Sequence, residues 1–502
     1  SMALKRNLIA NFLGQGWTAL MGLAFVPLYI KYLGMEAYGL IGLFAVLTAW
    51  LGLLDMGMTP TLSREMARFK AGSQSVESIR DLLRTVEVIT FAIAIAIAGG
   101  LALASNWIAT YWLNTVELPV QVVSQAFAIM GLVTALRFSE SIYRSSIIGL
   151  QQQVLFNIVN SGMATLRGLG AVAILIWVSP SIQGFFIWQG FLSVLTLGIL
   201  AALTYASLPA IQHRARFSLQ ELRGIWSFAG GMFGITFLSL LLTQVDKVLL
   251  SKLLNLIDYG YYTLAAAVAA ALYMVILPVT QAVYPQLCEL HAVGNHSMLA
   301  KTYHKAAQLV SVLAGSVAIM FILYGDIFLR VWTQDADMAG RIAPLLSLLM
   351  LGNLLNGMMW IPYQTQLAYG WTSLTIKVNI IAVALIVPSI LLSTPRYGAM
   401  GAAGAWVVLN LGYVLIASQL MYRRILKAEK WRWYLKDIMA PLAAGAMMSL
   451  LLRLSWPVTN NSALSQFTML ALAALLTITS SILAAGLVRS TLKQMLSFLL
   501  IR

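Results

Sequence analysis

Fourteen apolar runs, each long enough to cross a bilayer, constrain this chain more than any other feature. A helix needs about 20 residues to span the hydrocarbon layer. Runs of that kind lie near 7–30, 39–59, 86–104, 118–142, 154–178, 182–206, 227–250, 259–284, 306–324, 343–368, 374–393, 398–421, 438–454 and 463–487. In hydrocarbon every backbone N–H and C=O must find its partner inside the protein, so segments of this length fold as helices. Only 10% of the residues are charged and 60% are hydrophobic, against about 25% charged in soluble domains. So few charges cannot clothe a water-facing surface. The single cysteine, Cys288, excludes an internal disulfide. Ser1 ahead of Met2 reads as a remnant of tag cleavage, and the first run is too long for the roughly 7–15-residue core of a cleavable signal. The expected fold is an all-α polytopic membrane protein of about 14 transmembrane helices.

The net charge of +15 invites a nucleic-acid reading, but the placement of the charge argues for membrane topology instead. With the N-terminus inside, 24 of the 32 Lys and Arg fall on the cytoplasmic side. Six fall outside: Lys31, Lys252, Arg330, Arg341, Arg396 and Arg453. A fourfold excess inside satisfies the positive-inside rule and puts both termini in the cytoplasm. No nucleic-acid partner is needed. The segment 423–436 interleaves six basic residues with Trp431, Trp433 and Tyr434 and reads as an interfacial segment on anionic membrane lipid.

The chain also repeats itself. Lys31-Tyr-Leu33-Gly-Met-Glu-Ala-Tyr38-Gly39 joins runs one and two, and Lys252-Leu-Leu254-Asn-Leu-Ile-Asp-Tyr259-Gly260 joins runs seven and eight, 221 residues later. The same offset carries Gly149 onto Gly370, and Pro60-Thr-Leu62 resembles Pro285-Gln-Leu287 at an offset four residues larger. An even number of helices per half means that both halves enter the membrane in the same direction. The expectation is two six-helix lobes in a parallel pseudo-twofold repeat, 1–215 and 216–436, with two extra helices in 437–502. Such repeats are a transporter arrangement with the site between them.

No Walker-type phosphate loop, HExxH motif, zinc-spaced Cys/His set or nucleophile elbow occurs. The four histidines, His304 among them, fall in or beside expected cytoplasmic loops. The chain reads as a carrier without a cofactor, driven by a gradient of protons or sodium ions or by coupling to another process. Its chemistry must then lie in polar groups within the spans. Arg167 sits near the middle of helix five, about 14 residues from Gln153 and 11 from Val178. The interface is roughly 15 Å away, and lipid exposure would cost at least about 2.5–3.5 kcal/mol. It therefore faces a cavity, where its fork suits phosphate or carboxylate, or a permanent ion-pair partner.

Arg137, Glu140 and Arg144 share one face of helix four at spacings of three and four, the wall of an anion-collecting vestibule or a solvated helix end. Asn7, Asn11, Gln15 and Thr18 form a polar stripe on helix one that lines a cavity or packs on a neighbour. Asp246 is the strongest candidate for an ion-coupling acid, with Glu140 and Asp55 behind it. Lys247 and Lys377 are further candidates for substrate binding. Asp246 and Lys247, adjacent in sequence, point about 100° apart and are expected to need separate partners. Pro278 and Pro388 are candidate hinges.

The opening stretch from Lys5-Arg-Asn-Leu through Pro27-Leu-Tyr-Ile-Lys31-Tyr-Leu-Gly to Tyr38-Gly39 resembles lipid-linked O-antigen flippases of the Wzx type. So do Leu53-Leu-Asp55-Met-Gly57, Gly149-Leu-Gln151, Gln244-Val-Asp246-Lys247 and Gly325-Asp-Ile-Phe-Leu-Arg-Val-Trp332. These flippases belong to the polysaccharide-transport branch of the multidrug, oligosaccharidyl-lipid and polysaccharide exporter superfamily. The resemblance implies two lobes around a cationic cavity, alternating access and the bacterial inner membrane. It implies an undecaprenyl-pyrophosphate-linked oligosaccharide as cargo and the polysaccharide polymerase machinery as a partner. Related lipid II flippases carry arginine in the first helix, and none occurs here between Asn7 and Ile30. Two alternatives stay open. A cation-coupled multidrug exporter would have twelve helices and an acidic lobe. A membrane-embedded sugar or lipid transferase would need an acidic pair or metal site at one face.

Overall fold

The computed structural model describes residues 2–457 and 462–500; Ser1 and Arg502, which entered the readings above, lie outside them. Fourteen helices are long and apolar enough to cross a membrane, as the sequence predicts: α1 Ile9–Leu33, α2 Met35–Asp55, α3 Val76–Trp112, α4 Val120–Gly149, α5 Gln153–Val178, α6 Ile182–Ser207, α7 Leu219–Leu253, α8 Leu256–Ala292, α9 His296–Thr333, α10 Ala336–Ala368, α11 Ser373–Tyr397, α12 Ala399–Tyr422, α13 Lys430–Leu454 and α14 Ala463–Ala484. A last helix, α15, runs Gly486–Leu500.

Several spans outrun the apolar stretch that announces them. α3 has 37 residues and α9 has 38, so each is roughly 55 Å long against about 30 Å of hydrocarbon. Arg80 and Arg84, and Lys301 and Lys305, therefore ride on helical extensions rather than in loops. Both of these long helices start where a side chain caps them. Ser75 Oγ accepts from Ser78 N at 3.1 Å ahead of α3, and Asn295 Oδ1 from Met298 N at 3.2 Å ahead of α9. Capping of this kind satisfies an N–H that the first turn leaves without an intrahelical acceptor.

By internal packing the chain forms two compact units, 1–260 and 261–502. In the first, α4 packs on α3 and α6 and is the most buried span. Leu62, Met66, Leu82, Leu83, Ile142 and Leu200 build a core shared by α3, α4, α6 and the short helix Met58–Lys70. α7, expected to open the second lobe, packs on α2, α3 and the Met58–Lys70 helix. The two repeated motifs meet here. A Cβ on Gly39 would stand 2.6 Å from the Leu256 carbonyl oxygen, and one on Gly260 2.5 Å from that of Met35. Met35 and Leu256 are themselves 221 residues apart, so each glycine abuts the counterpart of its own motif's partner. Reciprocal contact of this form is what a local twofold axis produces.

In the second unit α9 is central. It packs on α8, α10, α13 and α14, and Tyr324, Ile327, Leu470 and Ala473 join it to α14. Tyr324 donates to the Ser449 carbonyl at 2.7 Å, and Arg453 pairs with Asp326 at 2.8 Å. α8 breaks at Ala271–Leu272, ahead of Pro278, whereas α11 runs helically through Pro388. Two sequence readings need correction. His304 lies inside α9 and is fully buried, not in or beside a loop. Of the supposed interfacial segment, Trp431 is exposed but Trp433 is fully buried, because α13 starts at Lys430 and turns that ring inward.

Candidate functional site: a cavity walled by three arginines

α4 contributes most of the site, because its polar residues recur every three or four positions along one face. Thr134, Arg137, Glu140, Ser141 and Arg144 line a cavity of about 310 Å³. α2 adds Thr48, Gly52 and Asp55, and α5 adds Arg167 from near its midpoint. Three guanidinium groups thus face two carboxylates.

Each charge is held differently. Arg144 Nη2 donates to Glu140 Oε1 at 2.5 Å; the Glu140 side chain is 2% exposed and that of Arg144 41%. The second Glu140 oxygen is buried without a hydrogen-bond partner. Arg137 lies with its guanidinium 4.7 Å from the Phe44 ring centroid and donates to Gln189 Oε1 at 3.3 Å. Arg167 Nη2 donates to Thr196 Oγ1 at 3.3 Å, and among the described ion pairs none includes Arg167. The Nε atoms of all three arginines are buried and unpartnered. Burying an N–H without an acceptor costs about 1–3 kcal/mol, and an acceptor-rich group in the cavity would remove that cost. Asp55 serves a turn. Its two oxygens accept from Gly57 N at 2.9 Å and Thr59 N at 3.3 Å, capping the Met58–Lys70 helix after the left-handed pair Met56 and Gly57.

The structure therefore brings Arg137, Glu140, Arg144, Arg167 and Asp55 together on one cavity. The other sequence-predicted residues lie elsewhere. Asn11 bridges α1 to α5, donating to Gln153 Oε1 at 2.6 Å and accepting from Asn157 Nδ2 at 2.7 Å. Asn160 donates to Thr18 at 3.3 Å, so this part of the stripe packs on a neighbour. Gln15 is exposed. Lys377 is exposed on α11, in the second unit. On α7, Lys247 donates to the Thr243 carbonyl at 3.3 Å. It also lies 3.9 Å from Asp246 Oδ1. The lysine thus has a hydrogen-bond partner of its own on the preceding turn, and its approach to Asp246 is a long ion pair.

Sequence reading missed the partners on α6. Gln189, Ser193 and Thr196 are buried and spaced by four and three, so they form one polar stripe that receives Arg137 and Arg167. Three buried polar residues in register within an apolar run were the available signal.

Two relatives carry the description "Putative O-antigen transporter". That of Shigella flexneri is 19% identical over 410 residues, 81% of this chain and 95% of that protein. That of Salmonella typhi is 22% identical over 336 residues, 65% of this chain and 74% of that protein. Among solved structures, the lipid II flippase MurJ in an inward closed conformation superposes with a TM-score of 0.70 at 15% identity, covering 96% of this chain and 99% of that one. An inward-facing multidrug resistance transporter of the MATE family, in the MOP superfamily, gives 0.59 at 14% identity, covering 83% and 94%. These likenesses establish the fold. Residues 4–291, more than half of the chain, match the family described as polysaccharide biosynthesis protein, and the protein belongs to that family.

Proposed function

We propose that this protein is a carrier that moves an oligosaccharide linked to undecaprenyl pyrophosphate, an O-antigen repeat unit, from the cytoplasmic to the periplasmic leaflet of the bacterial inner membrane. The observation that carries the reading is the triple-arginine cavity. Pyrophosphate offers several anionic oxygens, and guanidinium forks match such oxygens in both charge and shape. The names of the two relatives support the same cargo. A membrane interior with Arg137, Arg144 and Arg167 on one wall is poorly suited to a cationic drug, which distinguishes this reading from a multidrug exporter.

On this reading Arg167 and Arg137 grip the anion, while Arg144, tethered to Glu140, trades its carboxylate for phosphate as cargo enters. Lys247, Lys377, Asn11 and Gln15 are secondary contacts along the route. Asp246, with Glu140 and Asp55, couples transport to a proton or sodium gradient, and access alternates between the two faces. Membrane lipids and the polysaccharide polymerase machinery complete the set of partners.

The test is transport of lipid-linked oligosaccharide in cells or vesicles carrying Arg167 variants at matched membrane levels. Arg167→Ala should reduce transport at least about tenfold, the equivalent of one charge-assisted bond. Arg167→Lys keeps the charge, loses the fork and should fall between. Normal transport by Arg167→Ala would overturn the proposal.

A further inference from the structure

The second unit holds a buried histidine gripped by two carboxylates, and nothing in the transport reading above uses it. His304 and Asp437 are both 0% exposed, and His304 Nδ1 is hydrogen-bonded to Asp437 Oδ2. On the other side of the ring, Nε2 lies 2.6 Å from Glu429 Oε2, whose side chain is 26% exposed. Gln308 Nε2 donates to the second Asp437 oxygen at 3.0 Å, and Gln308 Oε1 accepts from Leu487 N at 2.9 Å. One network thus ties α9 to α13, to the segment ahead of α13 and to the first turn of α15. Asp437 lies in a π-helical stretch, Trp433–Met439, a backbone form that recurs at functional sites.

We propose that His304, Asp437 and Glu429 form a proton-binding site whose occupancy latches the 423–432 segment onto α9. The argument is a count of hydrogens. A neutral imidazole has one N–H and one lone pair. A carboxylate set against the lone pair at 2.6 Å would meet repulsion instead of a bond. Both contacts hold only when two protons are shared among the three groups, both on the ring or one of them on a carboxyl. The surrounding groups fit that state. Arg432 adds positive charge beside the two carboxylates, and the remaining titratable neighbours are the phenols of Tyr303, Tyr422 and Tyr434. Tyr303 and Tyr422 are joined to each other at 2.6 Å, and Lys430 is turned away to Gln419 at 2.9 Å. Arg489 on α15 is turned to the Leu483 carbonyl at 2.9 Å.

Loss of one proton must break one of the two contacts. Asp437 is fully buried and keeps Gln308 as a second donor, so it holds. Glu429 has a path to water and releases. The proton leaves and returns by that same side, because the inner end of the network stops at an amide. The site is therefore a switch and not a through-channel. The segment it frees contains Arg423, Arg424, Lys427 and Lys430. This inference does not depend on the identity of the cargo.

Hydrogen–deuterium exchange of the full chain in lipid nanodiscs, corrected for intrinsic exchange, tests it between about pH 5 and about pH 9, a range that brackets imidazole titration. Protection of 423–432 should fall about tenfold as pH rises, the worth of one charge-assisted hydrogen bond. Glu429→Gln places an amide that can donate to a neutral imidazole nitrogen, so it should flatten the profile. His304→Asn, which removes the titrating ring, should flatten it too. A flat wild-type profile, or an unchanged slope in either variant, would overturn the proposal.

Discussion

Alanine at Gly39 and Gly260 probes the twofold seam directly. Each new methyl would approach a backbone carbonyl oxygen, at 2.6 Å for Gly39 and 2.5 Å for Gly260, and a backbone oxygen can move only with its helix. Overpacking of this kind costs about 1–3 kcal/mol. Contacts under 3.0 Å to backbone take the upper part of that range, about 2–3 kcal/mol; alanine returns about 1 kcal/mol of helix propensity over glycine, which leaves a net loss of about 1–2 kcal/mol per site. For a unit of this size that corresponds to a drop of about 2–8 °C in melting temperature. The two substitutions strain one seam, so the first opens space that the second uses. The double variant should lose less than the sum, with a coupling of at least about 0.5 kcal/mol. Thermal unfolding of the purified chain, read by labelling of Cys288 or by loss of the monodisperse peak, gives all four corners of the cycle. Strict additivity would refute the shared seam. So would one severe and one silent substitution, since a twofold contact demands similar costs at its two ends.

Three further outcomes follow from the charges. Glu36 is buried and accepts from Val116, Glu117 and Leu118 N at 3.1, 2.8 and 3.2 Å; Glu36→Gln should lose about 1.5–3 kcal/mol and make the 113–118 connection more open to limited proteolysis. A reporter fused at the C-terminus should be active only when it reads the cytoplasm, because the basic residues favour that side, and periplasmic activity would refute the orientation. Asp246→Asn should abolish the dependence of transport on a proton or sodium gradient, and an unchanged dependence would remove Asp246 from the coupling reaction.

Much of this fold was legible because the bilayer permits few solutions. A run of 20 apolar residues has one conformation open to it, which is why all fourteen spans were readable. The ends were not, since a helix continues into water until a cap such as Ser75 or Asn295 stops it, and hydropathy does not register caps. Tyr38-Gly39 and Tyr259-Gly260 stood out in the sequence at positions where close backbone approach restricts the residue. His304 was misplaced for the opposite reason. A histidine beside Lys305 looks solvated, and only the packing of α13 with its buried Trp433 shows that the ring is enclosed.

The arginine wall shows where single-helix reading stops. Arg137, Glu140 and Arg144 were found because a helix brings residues three and four apart onto one face. Arg167 was found because its depth leaves no route to the interface. What spacing could not give was the manner of holding. Arg167 rests on a threonine hydroxyl and Arg137 on an amide and a ring, neutral groups that orient a guanidinium without neutralising it. A carboxylate in either place would have made a lock, with attraction strong enough that phosphate would have to displace it. Neutral supports leave the positive charge to be met by whatever anion enters. Among the described ion pairs only that of Arg144 gives an arginine of this wall a counter-charge, and Arg144 is the more exposed member of its pair. Among the described residues the wall therefore grades from an ion-paired arginine to two that are held by neutral groups alone.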